Sequence, residues 1–362
     1  MRISNRMLYD QLTRNIGNST ERMFELNNQI SSGKCMTKPS DDPIGISNVL
    51  TYRTELTAVN HFEKSIDLAN GWLVRTDSIL QDADDLLGRA LELATQQASA
   101  TASADTREGA AQEIEEIKNQ LVGYANAKYG GKYMFGGTQT QTAPFLNVSE
   151  SNWQDNVLTI AAAPPGSPSE GDRYINSDDG NIWEYTGGVW VDKGPTSDGT
   201  ATIVEDENEL YVYSGSKWVT QYQGNDSTFS IKIGKTDTIE INIPGDAIFR
   251  STNGDAFMTL LRLEKALRGN DQEGIRDQMS AIQDSQQVLL NNLAKIGARV
   301  NRLDHTKSVL QKSNVDIQER ISLIEDLDYA EAITSLENQQ TIYQATLKSA
   351  SMITQLSLAD YV

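Results

Sequence analysis

The chain has 362 residues, enough for more than one domain, with 38% hydrophobic residues, a mean hydropathy of −0.46 and a formal charge of −19. That acidity excludes nucleic acid or an anionic membrane as partner, since both need a positive footprint. No apolar run approaches a membrane span, the opening MRISNRMLYD offers no signal-peptide core, and a single cysteine, Cys35, excludes an intramolecular disulfide. Taken alone, those absences read as cytoplasmic.

The first segment places Leu12, Ile16, Met23, Leu26 and Ile30 at helical spacing. It runs into SSGKCMTKPSDDPIG, residues 31–45, which holds two of the chain's eight prolines. Gly33 can supply the left-handed residue that stops the first helix, and Pro39 and Pro43 forbid a helix across the gap. Asp42 can cap the next helix, with Pro43 at the first helical position, where a missing N–H costs nothing. These residues predict a joint between two helices.

From about 44 to 97, Tyr52, Val59, Ile66, Leu73, Leu80, Leu87 and Ala94 recur every seven residues, as in a coiled coil. Phe62, Ala69, Thr76, Ala83 and Ala90 form a second row whose small side chains let a partner helix approach closely. Such a helix runs about 80 Å at 1.5 Å per residue. A Ser/Ala/Thr-rich turn near 99–105 follows, and then a shorter helix with Ala110, Ile114, Ile117, Leu121 and Tyr124 on one face.

The stretch from about 145 to 246 differs in kind. Short alternating runs such as FSIKIG and IEINIP are strand signals, and four of the five tryptophans lie here. Residues 145–250 hold 6 basic and 17 acidic side chains, a net of −11. IWEYTGGVWV (182–191) and LYVYSGSKWV (210–219) align at an offset of 28, matching Tyr185 with Tyr213, Gly187 with Gly215 and Trp190 with Trp218. Two duplicated β-hairpins explain the match. Tyr185, Trp190, Tyr213 and Trp218 then read first as the core of a thin β-domain, and second as outer-surface aromatics on which sugars could stack.

In the C-terminal part, Ile275, Ile282, Leu289, Ile296, Leu303, Leu310, Ile317 and Ile324 keep a seven-residue period without a miss. Met279, Leu293, Val300 and Ile321, four residues on, partly fill a second row. Leu336 lies twelve residues beyond Ile324, so the phase breaks, and a second joint is expected near EDLDYAEA, residues 325–332. The closing helix shows Leu336, Tyr343, Leu347, Ile353 and Leu356. The expected fold is mainly α with an inserted β-rich domain, the two halves forming a long antiparallel coiled-coil rod. Its parts are a terminal helix and joint (1–42), rod helices (43–145), the β-rich insert (146–246), further rod helices (247–326) and a terminal helix (327–362).

Catalytic constellations are not legible. His61 and His305 lie in separate helices and make no zinc cluster with one cysteine. GGKYMFGGT (130–138) lacks the spacing of a phosphate loop, and INSDDGN (175–181) that of a calcium loop. Runs such as EIEEIK (113–118) read as solvated helix faces. The sequence is read as a non-enzyme without cofactor or metal.

SSGKCMTKPSDDPIG resembles the signature near the start of bacterial flagellins and their hook–filament junction relatives. YANAKYGGKYMFGGTQTQTAPF (124–145), LAKIGARVNRLD (293–304) and the ending YQATLKSASMITQLSLADYV are similar too, and MRISNRMLYD is closer to the junction branch than to filament flagellins. Cys35 departs from the family, which usually has arginine or another polar residue there. The resemblance covers 1–145 and 247–362 and leaves the insert out, whose repeats look more like modules of phage tail fibres. It implies an extracellular flagellar subunit at the hook–filament junction, exported unfolded by the flagellar type III apparatus with a cytoplasmic chaperone. It implies a ring-like homo-oligomer between a hook-side hook-associated protein and filament-side subunits. The cytoplasmic reading then falls. It also implies that the two ends pair as helices, with Leu12, Ile16, Met23, Leu26, Ile30, Leu336, Tyr343, Leu347, Ile353 and Leu356 as assembly seams. A filament flagellin, or a flagellar subunit with a glycan-binding outer domain, are the alternatives.

Overall fold

In the computed structural model, residues 5–359 are described except 149–152, 195, 198, 206–208, 215–216 and 252–253. In chain order the helices and strands begin with α1 (Asn5–Ser32), α2 (Pro43–Gln97), α3 (Ala104–Ala125), β1 (Lys128–Tyr129) and β2 (Lys132–Tyr133). The insert supplies β3 (Trp153–Ala161), β4 (Arg173–Asn176), β5 (Ile182–Thr186), β6 (Val189–Asp192), β7 (Ala201–Val204), β8 (Glu209–Ser214), β9 (Lys217–Thr220), β10 (Ser230–Lys232) and β11 (Thr238–Glu240). The chain closes with α4 (Asp246–Phe249), β12 (Arg250–Ser251), β13 (Gly254–Asp255), α5 (Ala256–Arg268), α6 (Gln272–Glu325) and α7 (Tyr329–Ala359). It divides into two compact units, residues 1–63 with 308–362, and residues 64–307. The fold is helical with an inserted β-rich region.

Residues 64–307 hold most of α2 and α6. Ile66, Leu73, Leu80, Leu87 and Ala94 are fully buried, as are Ile275, Ile282, Leu289, Ile296 and Leu303. Seven-residue rows thus face the core over this whole span. Lys307 pairs with Asp67 at 2.6 Å and Gln286 donates to Asp84 at 3.4 Å, so moving forward on α2 means moving back on α6. The two helices are antiparallel. On α6 the second row departs from the expected one. Met279, Leu293 and Val300 are only half-buried, whereas Ser285 and Asn292 are buried. The cause is local satisfaction of polar groups: Ser285 donates to Ala281 O (2.9 Å), and Asn292 to Val288 O (2.9 Å) and to Ala247 O of α4 (3.3 Å).

α3 packs closely on α5 through Ile114, Ile117 and Leu121 and through Leu260, Leu263 and Leu267, all buried. Lys118 and Glu264, both fully buried, pair between them at 2.7 Å. Arg268 joins Glu264 (3.2 Å) to Glu115 (3.1 Å). Ser103 and Asp255 cap α3 and α5 through the N–H groups of Thr106 (3.3 Å) and Met258 (2.9 Å).

The GGKYMFGG stretch forms the β1–β2 hairpin, whose turn residues Gly130 and Gly131 both have positive φ. Beyond it, Phe135, Phe145, Phe249, Phe257 and Tyr222 make an aromatic knot with ring centroids 5.0 to 5.8 Å apart. Tyr222 donates to Phe135 O at 3.0 Å, and burial pushes its phenol up to about 12.

The insert builds a seven-stranded sheet in the order β6-β5-β4-β3-β7-β8-β9, with β3 parallel to both β4 and β7. Each repeat has one strand more than the hairpin read from sequence, being a three-stranded meander. The duplication extends to backbone bonds: Gly171 N donates to Tyr185 O and Gly199 N to Tyr213 O, both at 2.9 Å. Tyr185 N donates to Asp172 O (2.8 Å), matching Tyr213 N to Thr200 O (2.7 Å). Sequence missed the third strand because RYIN and ATIV share only one side chain at that offset, Ile175 with Ile203.

Candidate assembly site

The unit of residues 1–63 and 308–362 contains α1 and α7, which pack against each other. Ser19 is buried between them, accepting from Gln339 Nε2 at 2.8 Å. Leu12, Ile16, Met23, Leu26 and Ile30 of α1 are half-buried, as are Leu336 and Tyr343 of α7. Leu347 is 42% exposed. Ile353 and Leu356 belong to α7, but their side chains lie outside the described residues. Pairing therefore covers the apolar rows only in part. Phe24 (67%) on α1, and Tyr329 (51%), Ile342 (53%) and Met352 (53%) on α7, are open to solvent.

The joint residues are held by short-range chemistry. Gly33 follows α1 with φ of +71°, its N–H returning to Gln29 O at 2.8 Å. At the far side Asp42 Oδ1 accepts from Ile44 N at 3.1 Å and Pro43 opens α2. Between them Asp41 Oδ2 accepts from the N–H groups of Lys38 (2.9 Å) and Thr37 (3.0 Å), and these bonds hold its carboxyl below the ordinary value. Pro39 walls a cavity of about 260 Å³ together with Met36, Ile46 and Val49, with Arg53 and Glu325 at its edge.

The two joints are laced together, which sequence did not reveal. Cys35 N donates to Glu325 O (2.9 Å) and Leu327 N to Gly33 O (3.0 Å), making an isolated antiparallel bridge. The Cys35 thiol donates to Ile324 O at 3.1 Å. The buried Glu325 carboxylate takes Lys34 Nζ at 2.5 Å and Arg53 at 2.7 Å. Burial alone would raise this carboxyl, but hydrogen bonds from Lys34 and Arg53 outweigh it and hold it below its ordinary value. The second joint is short: α6 ends at Glu325, and Asp328 caps α7 by accepting from Ala330 N (2.9 Å) and Glu331 N (3.2 Å). No pattern in the sequence pairs residue 34 with residue 326, because the bridge is made by backbone groups.

Both halves of this clasp fall inside regions shared with known proteins. The bacterial flagellin N-terminal helical region matches residues 3–140, and the flagellin C-terminal helical region matches residues 277–362. Together they take in more than half of the chain. The chain belongs to the bacterial flagellin family. "Flagellar hook-associated protein 3" of Salmonella typhimurium is 32% identical over 146 residues, 40% of this chain and 46% of that protein. The "Flagellar filament 30.7 kDa core protein" of Treponema maltophilum is 26% identical over 125 residues, 32% of this chain and 44% of that one. The chain thus spans about half the length of the curated relatives it matches. Among solved structures, a flagellar hook-associated protein from Vibrio parahaemolyticus superposes with a TM-score of 0.55 at 16% identity, over 79% of this chain and 99% of that one, and so shares the fold. Flagellin-family relatives of this kind are structural proteins. No described helix is long and apolar enough to cross a membrane, and the described residues hold no cluster of three or more metal-binding side chains.

Proposed function

We propose that this chain is a structural subunit at the hook–filament junction of the bacterial flagellum, assembling through the α1–α7 pair. The observation that carries the reading is the apolar surface left open on that pair. Met7, Phe24, Ile333, Ile342 and Leu347 are each more than 40% exposed. Such side chains along one helix pair are available for a partner to cover. The curated match to a hook-associated protein favours the junction over the filament, since the filament protein matches at lower identity and over fewer residues.

In this reading Leu12, Ile16, Met23, Leu26, Ile30, Leu336, Tyr343, Leu347, Ile353 and Leu356 pack partly within one chain and partly against neighbouring copies in a ring. The ring sits outside the cell between hook-side and filament-side subunits, reached through type III export with a chaperone covering the apolar C-terminal helix. A single terminal helix buries too little apolar surface to offset its ordering entropy, so the ends order fully only on assembly.

Immunogold microscopy of intact flagella, with antibodies to residues 151–243, tests the placement. A narrow band of label between hook and filament is expected. Label along the whole filament makes the chain a flagellin and overturns the proposal.

A further inference from the structure

The sheet of the insert contains its own control. Both repeats carry the same cross-strand pair, Tyr185 with Trp190 and Tyr213 with Trp218. The geometry is nearly identical, ring centroids lying 5.3 Å apart at 62° in the first and 5.5 Å apart at 65° in the second. Their surroundings differ. The Trp218 indole N–H donates to Gly180 O at 3.0 Å, and its ring packs on the buried cluster of Val157, Ile175, Ile182 and Val204. A Cβ on Gly180 would come within 3.0 Å of the Tyr213 ring. The second pair belongs to the core.

The first pair has no such anchor. The indole N–H of Trp190 has no hydrogen-bond partner among the described residues and is not buried. Two rings lie against it: Tyr185, and Tyr174 edge-on at 4.9 Å. Trp183 stacks on Tyr174 at 6.3 Å. Strand register puts all four rings on one face of β4-β5-β6, together with Asp192, which lies opposite Trp183. Asn181 donates to Asp192 Oδ2 at 3.1 Å on the margin of that face. At the matching positions of the second repeat stand Thr202 in place of Tyr174 and Thr220 in place of Asp192. The lower ring and the carboxylate are therefore peculiar to the first repeat.

We propose that this face binds a neutral pyranose sugar, its C–H face on the Trp190 ring and its hydroxyls on Asp192, Asn181 and the free indole N–H. A pyranose has one apolar and one hydroxylated aspect, which is the division an aromatic platform beside a carboxylate–carboxamide pair presents. Charge selects the class. Asp179 and Asp192 are exposed, and residues 145–250 carry a net of −11 (6 basic, 17 acidic). The nearby cations Arg173 and Lys193 are both paired with Glu184, at 3.2 Å each, on the opposite face. Sialic acids, uronic acids and nucleotides are repelled. A protein partner lacking basic side chains would have to desolvate the carboxylates without compensation. The inference concerns the insert alone and stands whether or not the chain sits at the junction.

Saturation-transfer NMR on the full chain tests it, with methyl β-galactoside, methyl β-glucoside and methyl N-acetyl-β-glucosaminide as probes. At about 20 mM, above the millimolar Kd of a single-sugar contact, at least one should receive saturation at its ring C–H protons. Trp190→Ala should weaken that binding about tenfold or more. Asp192→Ala, an exposed edge position, should weaken it with circular dichroism unchanged, and the methyl glycoside of sialic acid should stay unbound. Silence from all three sugars overturns the proposal. So does binding that survives both substitutions, or methyl sialoside binding as well as they do.

Discussion

Glu325→Ala cuts the clasp between the two joints at its most buried point. The carboxylate side chain is 11% exposed, while those of its partners Lys34 and Arg53 are 42% and 48% exposed. A hydrogen bond to a charged group contributes about 1.5–3 kcal/mol, and an exposed ion pair about 0.2–1 kcal/mol. With one buried partner and two half-exposed ones, the clasp contributes about 2 kcal/mol in all, and alanine strands no buried charge because both cations reach water. At 1.36 kcal/mol per tenfold this is a factor of about 30 in the local opening equilibrium. Native-state hydrogen exchange reads it at two amides, Cys35 and Leu327, which form the bridge between the joints. Both should exchange about 30-fold faster in the variant, while amides of the 64–307 core, such as Leu80, keep their protection. Unchanged exchange at Cys35 and Leu327 in a folded variant would refute the clasp.

The same carboxylate sets a pH dependence. Its folded-state pKa lies below the ordinary 4.5, so its stabilisation is complete above 4.5 and is lost as the pH falls through the depressed value. Once corrected for intrinsic rates, protection of Cys35 and Leu327 should be level from neutral pH down to about 5 and fall only in stronger acid. Glu325→Ala should abolish that fall.

Four other outcomes can be checked directly. Gly33→Ala places a side chain at φ +71° with its Cβ 2.8 Å from Tyr329 Oη, and should cost about 1–2 kcal/mol in urea unfolding of the terminal unit. Lys118→Ala removes a partner from the fully buried Glu264 and should cost about 3 kcal/mol, near the low end for a broken buried pair because Arg268 remains at 3.2 Å. Burial pushes Asp255 up to about 6 against hydrogen bonds from Met258 and Phe257, so its effect favours folding in acid and is lost as pH rises through 6. Asp255→Asn should keep the α5 cap and flatten the fall in thermal midpoint between about pH 4 and 7. Leu347→Asp changes a side chain already 42% exposed, so the chain should fold normally yet fail to incorporate into flagella; normal incorporation removes Leu347 from the seam.

The parts legible in sequence are those set by side-chain periodicity. Ile275 to Leu303 and Ile66 to Ala94 kept a seven-residue period, and the structure buries them without exception. The 28-residue offset likewise announced the duplication. What stayed hidden depends on the backbone or on polar satisfaction. The sequence marks Cys35 only as a departure from the family, yet its amide and thiol both contact the end of α6. Asn292 and Ser285 fall outside any apolar pattern, yet they are buried because carbonyls are within reach. Asp41 was passed over beside Asp42, although it organises the turn while Asp42 caps the helix. Polar side chains at bends take their meaning from nearby N–H groups, and a one-dimensional pattern does not display those.

The contrast between the two units bears on how assembly is controlled. Among residues 64–307 the heptad rows are buried almost completely within a single chain, down to Leu303 at 0%. In the terminal unit the same C-terminal row continues through Leu310, Ile317 and Ile324, of which Ile317 is buried and the other two only half-buried, and beside it Leu323 is 80% exposed. Apolar surface that folding leaves open costs solubility and returns nothing until another surface covers it. Residues 64–307 are therefore stabilised by what one chain can bury, whereas the terminal unit keeps apolar surface open that the proposed assembly would cover. Substitutions in the first should lower stability in dilute solution, and substitutions on the open face of the second, charged ones included, should pass unnoticed there and appear only as failed incorporation. If Ile342→Asp or Phe24→Asp lowered monomer stability as much as Leu80→Ala does, the division would be wrong, because the exposed residues would then be holding the single chain together.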